Sequence, residues 1–216
     1  MARVKICGVT NVSDAQRAAD LGAWALGMVL WPGSPRRCAR DEAARISAAL
    51  RRRTELAGVF VDASLDTVAR AADELGLTLV QLHGDEGPSF CGEAARRTGA
   101  KVIKAARVAT HGDLEDLERF RTDFHLLDTA AAGMRGGTGR TWDWSLIAAR
   151  RSKIPLILSG GLNAENVAAG IAAVHPFAVD VSSGVEAAPG VKDHDKLRAL
   201  FAAATAHTAA AEPIAT

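Results

Sequence analysis

Reactive side chains recur at the ends of short apolar runs in this sequence. Reading just past each run gives Cys7-Gly8, Ser34-Pro35-Arg36, Asp62, His83-Gly84 and Lys104. The later ends give Asp128-Thr129, Ser159-Gly160-Gly161 and Asp180-Val181-Ser182-Ser183-Gly184. Thiol, carboxylate, imidazole and guanidinium are the groups that move a proton or balance a charge. Singly, each has a plain explanation. A lone Cys is commonly a small inert apolar residue; His83 could be a satisfied core histidine, Arg36 half of an exposed Arg36-Arg37 pair, and Asp128 a salt-bridged rim residue. Their recurrence at one end of otherwise apolar runs is what the plain explanations leave over.

The glycines add an anion site. Gly160 and Gly161 lead toward a helix starting near Asn163, and Ser182, Ser183 and Gly184 close the last apolar run. Backbone amides in such turns converge on an anion, aided by a helix N-terminus. A third run, Gly136-Gly137-Thr138-Gly139, is placed to close over the same ligand, which adds Gly137 and Gly139 to the candidate phosphate contacts. No nucleotide P-loop is present: the GxxxxGK[ST] spacing is missing, and GxGxxG fails around Gly137 and Gly139.

The positioning elements follow from periodicity. Strands are expected at Val4–Val9, Ala25–Leu30, Leu56–Val61, Leu79–His83, Val102–Val108, Phe124–Asp128, Pro155–Ser159 and Phe177–Val181. Each is short and mostly apolar, as strands covered on both faces must be. Between them, Ser13–Leu21, Asp41–Leu50, Ser64–Leu75, Pro88–Thr98, Asp113–Phe120 and Asn163–Ile171 are rich in helix formers. Ser13, Asp41, Ser64 and Asn163 are expected helix N-caps, and Gly22, Gly76 and Gly99 expected left-handed stops. Eight strand–helix units of about 26 residues predict an α/β chain folded as a single-domain (β/α)8 TIM barrel. An open doubly wound sheet shares the alternation, but the count of eight favours the barrel. In a barrel the loops after the strands build the active site, and those after strands seven and eight bind phosphate. One domain is expected over residues 1–206, with a frayed or disordered tail at 207–216.

Composition excludes several classes. With 26 Lys+Arg against 25 Asp+Glu and a net charge of +1, no field favours nucleic acid or an anionic membrane. Aromatic residues are 5% of the 216, with no Tyr, which argues against base-stacking platforms. The apolar runs are too short to span a bilayer. No signal peptide is expected from the first residues, which enter a strand-like pattern at once. Cys7, Cys38 and Cys91 form no CxxC pair, which fits a reducing cytoplasm; Cys38 and Cys91 follow no strand end and are read as structural. No clustered His or Cys spacing indicates a metal.

Together the strings closely resemble the phosphoribosylanthranilate isomerase family. They are Lys5-Ile6-Cys7-Gly8 with Thr10, Ser34-Pro35-Arg36, Gly58-Val59-Phe60-Val61, Gln81-Leu82-His83-Gly84-Asp85-Glu86 and Leu126-Leu127-Asp128. Gly136-Gly137-Thr138-Gly139 with Trp142-Asp143-Trp144, Ser159-Gly160-Gly161-Leu162 with Asn166-Val167, and Val179 to Glu186 with Pro189-Gly190 and Lys192-Asp193 complete the order. Departures are small: Gly27 to Trp31 replaces a phenylalanine-rich segment, Ser159 stands where alanine is common, and Trp142 replaces a phenylalanine.

The resemblance implies the third step of tryptophan biosynthesis, an Amadori rearrangement of N-(5′-phosphoribosyl)anthranilate that needs no cofactor and no metal. It further implies Cys7 as general base, Asp128 as general acid, Arg36 as the holder of the anthranilate carboxylate, and supporting places for His83 and Asp180. It implies a small-molecule substrate as the partner, in a monomer or homodimer. An ordinary aspartic acid titrates near ~3.9 and a free thiol near ~8.5, so both groups need help at neutral pH. Lys5 shares a strand face with Cys7 and is a candidate for that help. Two alternatives remain at this point: a histidine-pathway-type phosphosugar isomerase, against which Cys7 argues because aspartate is expected there, and a non-catalytic phosphate-binding barrel.

Overall fold

In the computed structural model, the structure describes residues 2–108, 110–128, 147 and 150–209. Eight parallel strands form a closed barrel in sequence order: β1 (Arg3–Cys7), β2 (Ala25–Val29), β3 (Glu55–Phe60), β4 (Leu79–Leu82), β5 (Lys101–Arg107), β6 (Phe124–Asp128), β7 (Leu156–Ser159) and β8 (Ala178–Val181). Closure comes from β1 pairing with both β2 and β8, with Lys5 opposite Ala25 on one side and Asp180 on the other. That ring decides against the open sheet. The eight expected strands are all present, displaced by at most two residues at an end.

The outer layer carries α1 (Val12–Asp20), α2 (Arg40–Leu50), α3 (Leu65–Leu75), α4 (Pro88–Thr98), α5 (His111–Leu117), α6 (Val167–Val174) and α7 (His194–Ala209). The backbone of α7 runs through Ala209, three residues beyond the expected domain end at 206, and the rest of the expected tail lies outside the described residues. Two caps differ from expectation. Asn11, not Ser13, caps α1, its side chain accepting from the Asp14 amide at 2.8 Å. The first turn of α2 follows Ala39 without a side-chain cap, and Asp41 lies inside that turn, where its charge favours the positive helix end. Ser64 does cap α3, and Gly76 and Gly99 take the left-handed conformation expected of them. Asn163 acts one turn ahead of α6, its Oδ1 accepting from the amides of Glu165 and Asn166.

Two apolar layers result. Outward strand residues such as Ile6, Leu26, Leu56, Val80, Leu127 and Val179 pack against the helices. Inward residues Ala25, Ala57, Leu79, Ile103, Ala105, Phe124, Leu126, Ile157 and Ala178 fill the barrel. The rings of Trp24, Phe124 and Phe177, with centroids 5.0 to 5.6 Å apart, sit where strands β2, β6 and β8 begin and plug that end. The interior is therefore apolar at the strand starts. Its polarity is confined to the strand ends.

Candidate active site

Alternation along each strand decides which polar residues face the mouth, because residues two apart share a face. Asp128 follows the interior residues Phe124 and Leu126 on β6, and Asp180 follows Ala178 on β8. Lys5 on β1 reaches Asp180 across the barrel wall, Nζ to Oδ1 at 2.7 Å, so Cys7, two residues on, faces inward as well. Thiol and carboxylate thus project from strand ends on the same rim.

Around them the groups interlock. The Lys5 ammonium is fully buried, donates to Asp180 Oδ1 at 2.7 Å, and exerts its charge on the neighbouring Cys7 thiol. Gly27, opposite Cys7 on β2, makes this fit possible: a Cβ there would lie 2.9 Å from the Cys7 sulfur and 3.1 Å from Lys5 Nζ. Ser159, in register with Asp128, approaches Asp180 Oδ2 at 3.4 Å. His83 Nε2 lies 3.9 Å from Asp128 Oδ2. The Gln81 side-chain amide lies 3.1 Å from His83 Nδ1 and fixes the imidazole's orientation, leaving Nε2 toward Asp128. The charges of Asp128, Asp180 and Lys5 all act on this imidazole. One opening is shared by all of them.

Charge states follow from burial against these partners. Burial pushes the Cys7 thiol above its ordinary value and Asp180 adds to this, while Lys5 and Lys192 pull it back only in part. Burial lowers His83, against the pull of Asp128 and Asp180, so the ring is neutral at pH 7. The fully buried core histidine is His125, its Nε2 held at 3.0 Å by the Phe120 carbonyl, while His83 stands partly open at the mouth. Cys38 and Cys91 are buried, with thiols pushed up to about 11 by desolvation, as fits structural cysteines.

The two glycine turns expected to hold an anion lie side by side. Gly160 and Gly161 both have positive φ, 98° and 62°, a turn other side chains resist. The short 3₁₀ helix Ser183–Val185 brings Gly184 against the Leu162 carbonyl, where any Cβ would collide, so the turns after β7 and β8 are in direct contact. The buried Ser182 hydroxyl has no hydrogen-bond partner among the described residues. Gly137 and Gly139 lie outside the described residues.

Arg36 and Arg37 do not form an exposed pair: Arg37 faces solvent, whereas Arg36 is half-buried and grips Glu186. Glu186 and Lys192, on the hairpin of β9 (Glu186–Ala188) and β10 (Val191–Lys192), were quoted in the sequence motif without a role. Lys192 Nζ contacts the Cys7 carbonyl at 2.6 Å and the Ser182 carbonyl at 3.2 Å. A lysine and an acid six residues apart beyond the last barrel strand were the only sequence trace of this. Among the described residues, no group of His, Cys, Asp and Glu is arranged to hold a metal, and no helix is long and apolar enough to cross a membrane.

Comparison with known proteins agrees with this geometry. Residues 4–203 match the family model described as N-(5′phosphoribosyl)anthranilate (PRA) isomerase. An N-(5′-phosphoribosyl)anthranilate isomerase from Pelobacter propionicus is 47% identical over 92% of this chain and 93% of its own. The phosphoribosyl anthranilate isomerase crystal structure from Thermotoga maritima superposes with a TM-score of 0.87 at 44% identity, covering 95% of this chain and all 100% of that one. A phosphoribosyl anthranilate isomerase in complex with reduced 1-(o-carboxyphenylamino)-1-deoxyribulose 5-phosphate matches with a TM-score of 0.84 at 42% identity, again over 95% and 100% of the two chains. A closed barrel with a thiol and a carboxylate at its strand ends beside paired glycine turns, and with likeness along nearly its whole length, belongs to the N-(5′-phosphoribosyl)anthranilate isomerase family.

Proposed function

We propose that this chain converts N-(5′-phosphoribosyl)anthranilate to 1-(2-carboxyphenylamino)-1-deoxyribulose 5-phosphate, with Asp128 as general acid and Cys7 as general base. The observation that carries the assignment is the common facing of these two side chains, from β6 and β1, into one mouth. Asp128 delivers its proton to the ribose ring oxygen as the bond to C1′ breaks. The electron pair of the anthranilate nitrogen completes a protonated Schiff base, which acidifies the proton on C2′. The Cys7 thiolate removes that proton, and the enolamine takes a proton at C1′ as its C2′ hydroxyl becomes the ketone. Two protons are added, at the ring oxygen and at C1′, two are removed, from C2′ and its hydroxyl, and no electrons leave the substrate, so the step balances without a cofactor.

The other groups hold the substrate. Amides at Gly160, Gly161, Ser183 and Gly184 and the Ser182 hydroxyl take the phosphate, joined by Gly137 and Gly139, which follow β6 in the sequence. Arg36 takes the anthranilate carboxylate, while His83 and Asp180 flank the sugar. Because burial raises the Cys7 thiol, the ammonium of Lys5 matters: it is the strongest attraction favouring the thiolate. The test is the loss of phosphoribosylanthranilate fluorescence, with the substrate generated in situ, for the wild type and for Asp128→Asn. Turnover by the wild type that Asp128→Asn abolishes supports the reading. A wild type that binds phosphate but turns nothing over contradicts it, as does an unimpaired variant.

A further inference from the structure

The hairpin β9–β10 is joined to the mouth by charge rather than by apolar packing. Glu186 is nearly buried, its side chain 5% exposed, and its two oxygens are fully engaged. Oε1 accepts from Arg36 Nε at 2.9 Å, from Lys192 Nζ at 3.0 Å and from the Gly190 amide at 3.2 Å. Oε2 accepts from Arg36 Nε at 3.0 Å and Nη2 at 2.8 Å. This fork-on-fork contact fixes the plane of the guanidinium. One edge of Arg36 is thereby occupied, and Nη1, which has no partner among the described contacts, lies on the other.

Lys192 resolves the electrostatic objection that an arginine already paired with one carboxylate would hold a second one poorly. Its Nζ has three acceptors, the carbonyls of Cys7 and Ser182 and the Glu186 carboxylate, which suits the three hydrogens of an ammonium. Two of those acceptors are neutral. Two cations therefore face one anion, and the cluster keeps one positive charge for an incoming carboxylate.

The hairpin is also locked in place. Thr10 Oγ1 donates to the Gly190 carbonyl at 2.5 Å, and Asp14 Oδ2 accepts from the Lys192 amide at 2.8 Å. A Cβ on Gly8 would meet both Arg36 Cδ and Ser182 Oγ at 3.0 Å, so the clamp, the chain beside the base and the phosphate turn are in contact.

We infer that Glu186 is a specificity-determining positioning residue: it aims Arg36, so that the enzyme prefers a substrate carrying an ortho carboxylate on its aryl ring. This rests on the role given above to Arg36.

The experiment compares kcat/KM for N-(5′-phosphoribosyl)anthranilate with that for the N-(5′-phosphoribosyl)aniline adduct, which lacks the carboxylate. Wild type, Arg36→Met, Glu186→Gln and the double variant are measured together. The expected result is that Glu186→Gln lowers the ratio of the two by roughly 10- to 100-fold, the effect of one lost charge-assisted hydrogen bond. The loss should appear mainly in KM for the carboxylated substrate, and the double variant should do no worse than Arg36→Met alone. A hairpin that merely holds the fold would depress both substrates equally and leave the ratio at its wild-type value, which overturns the inference. An Arg36→Met variant with an unchanged ratio overturns instead the placement of the carboxylate on Arg36.

Discussion

Two buried lysine–carboxylate pairs occupy opposite arcs of the same rim. On one arc Lys5 pairs with Asp180 at 2.7 Å; on the other Lys104 pairs with Glu86 at 2.9 Å. Their neighbours differ. Glu86 accepts from the amides of Asp62 and Gly84, both at 2.9 Å, and Lys104 also donates to the Gly84 carbonyl at 2.6 Å. That pair ties the turns after β3 and β4 together through their backbone, with the ammonium 5.6 Å from the centroid of the Phe120 ring. Lys5 instead pairs with its carboxylate beside the Cys7 sulfur, both lying close to the Cβ position of Gly27. The same kind of buried ion pair fastens loops in one place and lies beside the Cys7 thiol in the other, where Lys5 opposes part of the effect of burial.

The comparison can be broken at either arc. The largest effect is expected at the reacting groups themselves: Asp128→Asn and Cys7→Ser should each lower kcat by ~10²–10⁴-fold, the usual worth of a general acid or base, while binding persists. Steady-state turnover together with the dissociation constant of a reduced product analogue checks this. Next is Lys104→Met, which strands the Glu86 carboxylate in a buried site and should cost ~3–5 kcal/mol of stability in urea unfolding. Its kcat, measured on the folded fraction, should stay within about tenfold of wild type if the pair only fastens loops. Lys5→Met should do the reverse, with kcat falling by more than its stability loss explains. Arg36→Met should mainly raise KM, by roughly 10- to 100-fold.

The smallest and sharpest effect concerns the thiol. Burial already holds Cys7 above its ordinary value, Lys5 pulls it down and Asp180 pushes it up. The thiolate is the form that reacts with iodoacetamide, so alkylation of the Cys7 peptide, followed by mass spectrometry, should rise with pH and reach its midpoint above that of a free thiol. Lys5→Met should move the midpoint further up, and Asp180→Asn should move it down. Peptide mapping separates Cys7 from Cys38 and Cys91. A midpoint indifferent to Lys5 would remove the lysine from the chemistry and make the two arcs equivalent.

Much of this was legible in the chain. Cys7, Asp128 and Asp180 could be picked out because they stand at or near the ends of apolar strands, and Lys5 because it shares a face with Cys7; that this face is the barrel interior follows only from the closed ring, in which Phe124, Leu126 and Ala178 point inward. The clamp was not legible. Glu186 meets Arg36 across 150 residues, and no local pattern marks an acid on a short hairpin as the partner of an arginine after the second strand. Helix starts failed for a related reason: Asn11 and Ser13 are both good caps two residues apart, and contacts to Asp14 decided between them. His83 and His125 differ as sequence only by position on their strands, the first at an end and the second facing the helices; tertiary burial told them apart.

The central claim is that one sulfur and one carboxyl act on a single sugar phosphate. The most direct measurement is a crystal structure of this chain with reduced 1-(2-carboxyphenylamino)-1-deoxyribulose 5-phosphate bound. The account predicts the Cys7 sulfur and an Asp128 oxygen each within about 3–3.5 Å of the ligand atoms they serve, C2′ and the former ring oxygen. A ligand seated with its phosphate in the glycine turns, but with either group too far away to touch it, would contradict the account.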